Sequence, residues 1–363
     1  MSRIVEAHSW ILRIPLPGDH RVGDEKDHNM AGVTLKTEDG HIGRGFGFTV
    51  EWDGAPAIKS VIDSVLLPAV IGRRSYDVAD IWRKSMLRLD RVRRGLASIA
   101  IGAVDMALWD LAAVERGISL ADHAGKVVTS VPAYSSGQFA PTLPMEKVIE
   151  NVHKQLEMSL TAVKLRVGID PENDISRIKA LRSEFGESLR IMCDANQRLL
   201  LPEAISLGRR LADLGVYWFE EPMDARDVAG HSALARAIDV PIAVGEHLQS
   251  AGEFQEYARR GAAHLLQPDV GQLAGPTEFF QIANVALSEG AALAPHFLPE
   301  IHIHLMAAYP NAAYLEQFPW ADEWLVNTLK FENGHARVPD TVGHGFDLLP
   351  DAIEQFLVAG QWD

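Results

Sequence analysis

Ile191-Met192-Cys193-Asp194, Val216-Tyr217-Trp218-Phe219-Glu220 and Ile242-Ala243-Val244-Gly245-Glu246 are three short apolar runs, each closed by an acid. The acids fall at even intervals, 220 − 194 = 26 and 246 − 220 = 26. A strand, a helix and two connecting loops of roughly 2–6 residues use about that many positions. The spacing therefore predicts three successive parallel strands with Asp194, Glu220 and Glu246 at their C-terminal ends. In a closed α/β barrel that end is where active sites form. Three converging carboxylates repel one another unless a cation neutralises them, and hard oxygen ligands point to Mg²⁺, one per subunit.

The same alternation extends on both sides. Candidate strands run 131–136, 162–167, 190–195, 216–221, 242–246, 265–269, 291–296 and 313–317, with amphipathic helical patterns between them, as at 202–214 and 274–288. Eight parallel strands with helical crossovers fit a closed barrel. Ahead of it, 4–14 alternates as a strand, and 31–50 supplies two more around the turn Glu38-Asp39-Gly40. From 55 to 124 the period is helical: Ile58, Ile62, Val65 and Leu66 share a face, as do Ile99, Ala103, Met106 and Ala107. The partition is an N-terminal α+β unit over 1–125, a barrel over 126–325, and a segment 326–363 that returns to the first unit. Phe331-Glu332-Asn333-Gly334-His335 marks a hairpin inside that segment.

The 363 residues carry 34 Lys+Arg against 49 Asp+Glu, a net charge of −15. That balance argues against nucleic acid or an anionic membrane surface as partner, and solubility accounts for it adequately. Cys193, the single cysteine, excludes an intrachain disulfide; it precedes Asp194 on its strand and points to the helix layer, as a packing residue. No leader pattern and no apolar run of 18 residues is read, which predicts a cytoplasmic protein.

Further groups join the acids. Lys164 and Arg166 share one face of their strand, and two cations pointing into a barrel need carboxylates or an anionic ligand opposite. Asn196 shares the face of Asp194. Asp194 alone would read as a helix N-cap, but three acids in register weaken that reading. Of the pair Glu220-Glu221 the spacing turns Glu220 inward and leaves Glu221 a supporting or helix-pairing role. His247 is either substrate-facing or a loop histidine. Asp269 and His296 end adjacent strands, 296 − 269 = 27, close enough for a hydrogen bond that fixes the imidazole tautomer and raises its basicity. Glu316 either contacts an intermediate oxygen or balances Lys164; His302 and His304 read as structural.

These residues resemble the enolase superfamily and, within it, the mandelate racemase subgroup. The likeness rests on Lys164-Leu165-Arg166, Asp194-Ala195-Asn196, Trp218-Phe219-Glu220-Glu221-Pro222, Gly245-Glu246, Asp269, Ala294-Pro295-His296 and Glu316, and on the helical stretch 99–110. It covers essentially the whole chain and implies a (β/α)7β modified TIM barrel with an N-terminal α+β capping domain. Ala294-Pro295-His296-Phe297, Ala307-Ala308-Tyr309-Pro310 and Leu315-Glu316 look most like acid sugar dehydratases of the galactarate/L-talarate type. The resemblance implies Mg²⁺ on Asp194, Glu220 and Glu246, proton abstraction next to a carboxylate, and an enediolate stabilised by the metal, Lys164 and Glu316. It also implies a homo-oligomer. Two departures stand out. Arg166 replaces a lysine that serves relatives as a second base, and a guanidinium, with a pKa above about 12, is a poor base. Gln272 stands where some relatives carry a cation.

The expected activity is therefore dehydration of a sugar acid to a 2-keto-3-deoxy acid, with His296 as base. The alternatives are a racemase or epimerase of a 2-hydroxy acid or amino acid derivative using Lys164 and His296, and a non-catalytic binding protein on the same scaffold. The polar loop 15–30 reads either as a solvated hairpin connection or as a lid over a polar substrate, and as a lid its basic residues His20, Arg21, Lys26 and His28 would meet a distal carboxylate.

Overall fold

The computed structural model describes residues 2–16, 27–49, 52–92 and 94–362. The chain begins with an antiparallel sheet of β1 (Ile4–Pro15), β2 (Asp27–Thr37) and β3 (Ile42–Thr49). The 21-residue helix Leu96–Arg116, rich in alanine, lies across this sheet and ends on the left-handed Gly117. Gly45 allows the contact: a Cβ there would stand 2.2 Å from Ala103 O and 2.3 Å from Ala107 N. This helix is apolar and long enough to cross a membrane, but it is almost wholly buried as the core helix of the capping unit.

The barrel strands are β4 (Ser130–Ser135), β5 (Ala162–Arg166), β6 (Arg190–Asp194), β7 (Phe219–Glu220), β8 (Ile242–Val244), β9 (Leu265–Leu266), β10 (Ala292–Leu293) and β11 (Leu315–Gln317). They pair in parallel in chain order; β11 pairs with β4, and a Leu293–Ala312 bridge completes the ring. The later strands are shorter than their apolar runs predict. Pro241, Pro268 and Pro295 donate no backbone hydrogen bond, and Glu221 turns at a positive φ.

One inward layer closes the bottom of the barrel. Tyr134, Ala162, Met192, Trp218, Ala243, Leu265 and Ala294, one from each of β4 to β10 or its immediate flank, form an apolar cluster. Two residues further along stand Ser136, Lys164, Asp194, Glu220, Gly245, Gln267 and His296. The two-residue period of a strand thus lifts the polar residues directly above an apolar floor that excludes water from below. Leu165 and Cys193 face outward into the helix layer.

The C-terminal segment divides. The hairpin of β12 (Phe331–Glu332) and β13 (His335–Arg337) pairs antiparallel with β4, on the barrel side. The return to the capping sheet is made instead by β14 (Leu357–Gly360), antiparallel to β1.

Candidate active site

At the C-terminal rim of the barrel Asp194, Glu220 and Glu246 each offer an oxygen within 4.8 Å of the others. Asp194 Oδ2 is buried and makes no hydrogen bond. Lys164 Nζ lies 2.6 Å from Glu220 Oε1, 3.0 Å from Glu316 Oε1 and 3.8 Å from Asp194 Oδ2. The Trp218 indole donates to Glu220 Oε2 at 3.0 Å. Burial and the neighbouring carboxylates outweigh Lys164 and lift Glu220 to about 8. An all-carboxylate donor set, one oxygen of which lacks a hydrogen bond, is what a hard divalent cation requires, so the residues fit Mg²⁺.

Across the cavity His296 Nδ1 lies 2.9 Å from Asp269 Oδ2, and its Nε2 lies 2.9 Å from Glu246 Oε2. Burial would push His296 down, but Glu246 and Asp269 outweigh it and hold the imidazole well above its ordinary range. Asp269 Oδ1 accepts from the Gly271 N–H at 2.8 Å, which fixes the carboxylate that fixes the ring. Glu316 Oε2 accepts the Phe297 N–H at 2.7 Å; burial raises this carboxyl, but Lys164 and His296 prevail and bring it to about 2. It therefore balances Lys164 as an anion.

Asn196 ties the strands together. Its N–H donates to Asp194 Oδ1 at 2.8 Å, its Nδ2 to Glu246 Oε1 at 3.2 Å, and its Oδ1 accepts from Arg166. Positive φ values fall at Asn196 (40°), Gln197 (63°), Glu221 (33°), Phe297 (55°) and Leu298 (39°), five of the seven non-glycine cases among the described residues. Backbone strain of this kind gathers at functional sites, where packing holds it in place.

A cavity of about 540 Å³ opens on Arg166, Asn196, Glu246, His247, Asp269 and His296. The capping unit contributes Thr49, Trp52, Gly95 and Ile99 to its wall. Arg198 and Gln249 also line it; sequence reasoning missed both. Arg198 follows Asn196 by two residues on a loop after a strand-ending acid, which was a usable signal; Trp52 and Thr49 carried none. Gln272 lines the cavity and donates to Phe48 O at 2.9 Å. His302 and His304 are buried in backbone hydrogen bonds, as structural residues.

One lid expectation is corrected. His28 lies on β2, buried against Phe48, Phe297 and Trp320, and burial takes its imidazole down to about 3. A neutral ring in an aromatic nest is not the solvated cation expected to meet a carboxylate. His20, Arg21 and Lys26 lie outside the described residues.

Residues 5–125 match the mandelate racemase / muconate lactonizing enzyme N-terminal domain, and residues 147–352 match the enolase C-terminal domain-like family. The L-talarate/galactarate dehydratase of Salmonella typhimurium is 36% identical over 325 residues, covering 88% of this chain and 80% of that protein. The 3,6-anhydro-alpha-L-galactonate cycloisomerase of Streptomyces coelicolor is 31% identical over 341 residues, covering 92% and 94%. The crystal structure of L-talarate dehydratase from Polaromonas sp. JS666, complexed with Mg and L-glucarate, superposes with a TM-score of 0.92 at 34% identity over 99% of both chains. With both domains matched in order, the chain belongs to the mandelate racemase/muconate lactonizing enzyme family of the enolase superfamily.

Proposed function

We propose that this protein is a Mg²⁺-dependent acid sugar dehydratase, a hydro-lyase converting an aldarate or aldonate to a 2-keto-3-deoxy acid. The observation that carries the reading is the Asp269–His296 pair standing beside the three-carboxylate cluster, whose Glu246 lines the same cavity as the pair. The dehydratase relatives, and the Mg and L-glucarate in the Polaromonas structure, support it.

Asp194, Glu220 and Glu246 would hold the cation, which supplies the positive charge that binds the substrate carboxylate and lowers the acidity barrier of the adjacent carbon. Asp269 keeps the Nδ1 proton of His296 in place; Nε2, now held by Glu246, would be the basic atom that takes the proton from that carbon once a cation takes up the Glu246 charge. The Lys164 ammonium, held by Glu220 and Glu316, faces the developing enediolate charge. His296 then returns its proton to the departing β-hydroxyl, water leaves, and the enol tautomerises to the keto acid. Arg166 stands on Asn196 and supplies charge, not a second base. One imidazole acting on one face suits elimination better than racemisation, which needs proton exchange on both.

The test is a panel of aldaric and aldonic acids, galactarate and L-talarate included, incubated with Mg²⁺ in D₂O and followed by proton NMR and keto-acid assay. A keto acid that disappears in His296→Asn is the expected result. Deuterium exchange or inversion next to the carboxylate, without keto acid, would mean a racemase or epimerase instead.

A further inference from the structure

Glu221 is the one acid of the Trp-Phe-Glu-Glu-Pro stretch that the reaction above does not use. It is fully buried, and it sits at a φ of 33°, a left-handed conformation that strains any side chain. Its backbone is clamped on both sides: its N–H donates to Ala243 O at 3.0 Å, and its carbonyl accepts from the Gln197 N–H at 2.7 Å. Its carboxylate is spent on one partner. Oε2 lies 2.6 Å from His247 Nδ1, and Oε1 accepts the His247 N–H at 3.4 Å.

The arrangement repeats that of Asp269 and His296. In each, a buried carboxylate grips the Nδ1 of an imidazole that lines the same cavity. The two rings approach opposite oxygens of one carboxylate: His296 Nε2 is 2.9 Å from Glu246 Oε2, and His247 Nδ1 is 3.4 Å from Glu246 Oε1. His247 is about half exposed, whereas Glu221 is inaccessible, so the ring's free edge is its Nε2 side. His247 also lines, with Gln197, a second cavity of about 820 Å³ that includes Arg94, Arg226 and Tyr257. The ring therefore stands in the wall between the reaction chamber and the larger space beside it.

We propose that Glu221 is a positioning residue that locks the orientation of His247, so that His247 Nε2 contacts a hydroxyl of the substrate's polyhydroxy chain beyond the reacting carbons. This rests on the acid sugar reading above. The ligand class is a polyol acid chain, because a fixed imidazole edge offers one directional hydrogen bond and Arg166, Asn196 and Arg198 add polar groups to the same cavity. A strained, buried acid would otherwise be a cost without return; holding a second imidazole over the cavity gives it a purpose.

The experiment uses the full chain, labelled with ¹⁵N-histidine, with Mg²⁺ present. The His247 signals are assigned by their loss in His247→Gln. The expected spectrum has Nδ1 protonated, with Nε2 shifting and Nδ1 holding when galactarate is added. A ring protonated only on Nε2, or an Nε2 indifferent to an acid sugar that the enzyme turns over, would overturn the proposal. Kinetics give a second arm. Glu221→Gln is expected to raise KM about tenfold with a smaller change in kcat, and the Glu221→Gln/His247→Gln double variant to be no worse than His247→Gln alone. Additive losses would show that Glu221 does not act through His247. If Glu221→Gln does not fold, the wild-type spectra and His247→Gln carry the test. Turnover of no acid sugar would instead defeat the functional reading, leaving the protonation of Nδ1 to decide the positioning role.

Discussion

Asp269 Oδ2 and His296 Nδ1 lie 2.9 Å apart across the ends of β9 and β10, with Asp269 itself anchored by the Gly271 N–H. The pair sets which ring nitrogen is basic. Asp269→Asn preserves the shape but can donate to Nδ1, which favours the wrong tautomer. We expect kcat to fall by about 10²–10⁴ with KM changed little. Steady-state kinetics on the best acid sugar from the panel check this; an unchanged kcat would remove His296 from the base role.

The acidic cluster makes a prediction that needs no substrate. Altering groups that merely support metal ligands already lowers affinity about 10–100-fold. Asp194→Asn should therefore weaken Mg²⁺ binding by at least about 100-fold in calorimetry. In the wild type, Mg²⁺ at 100 times its Kd should add about 2.7 kcal/mol of stability, seen as a rise in Tm that EDTA reverses. A Tm indifferent to Mg²⁺ would count against these carboxylates as ligands.

Buried histidines predict acid sensitivity. His304 accepts the Ala121 N–H on Nδ1 and faces His344 O through Nε2, and burial takes it down to about 3. Its folded pKa lies below the ordinary 6.5, so its contribution is fully present above 6.5 and is lost as pH falls from there toward 3. In that window each pH unit costs about 1.4 kcal/mol for this one group. Urea denaturation of His304→Gln between pH 7 and 5 should show a shallower loss of stability than the wild type.

Gly45→Ala tests the contact between capping sheet and helix. The added Cβ meets backbone atoms of the helix Leu96–Arg116, which cannot swing aside. A destabilisation of about 3 kcal/mol is expected, with a Tm lower by several degrees. The Mg²⁺ affinity of the folded fraction should not change, since Gly45 lies outside the barrel.

Much of this molecule was legible from local rules. The 26-residue spacing of Asp194, Glu220 and Glu246 placed three acids on one rim because a βα unit has a narrow range of lengths. The two-residue strand period put Lys164 and Arg166 on one face, and Cys193 away from Asp194. The same counting joined Asp269 to His296. These follow from the chain itself, since period and length need no knowledge of distant partners.

What the tertiary structure decided involves contacts across the fold. Glu221 could have paired with a helix; a positive φ and the neighbouring loop turn it onto His247. His28 carries the polarity of a lid residue, yet Phe48, Phe297 and Trp320 surround it, from positions up to 292 residues away, 320 − 28. The hairpin at Phe331 and the strand Leu357–Gly360 join different partners, a choice made by which backbone was left unpaired: Ser130–Pro132 of β4, ahead of its pairing with β11, and the free side of β1 on the capping unit. Burial and edge pairing are properties of the assembled packing, and no periodicity in the sequence encodes them.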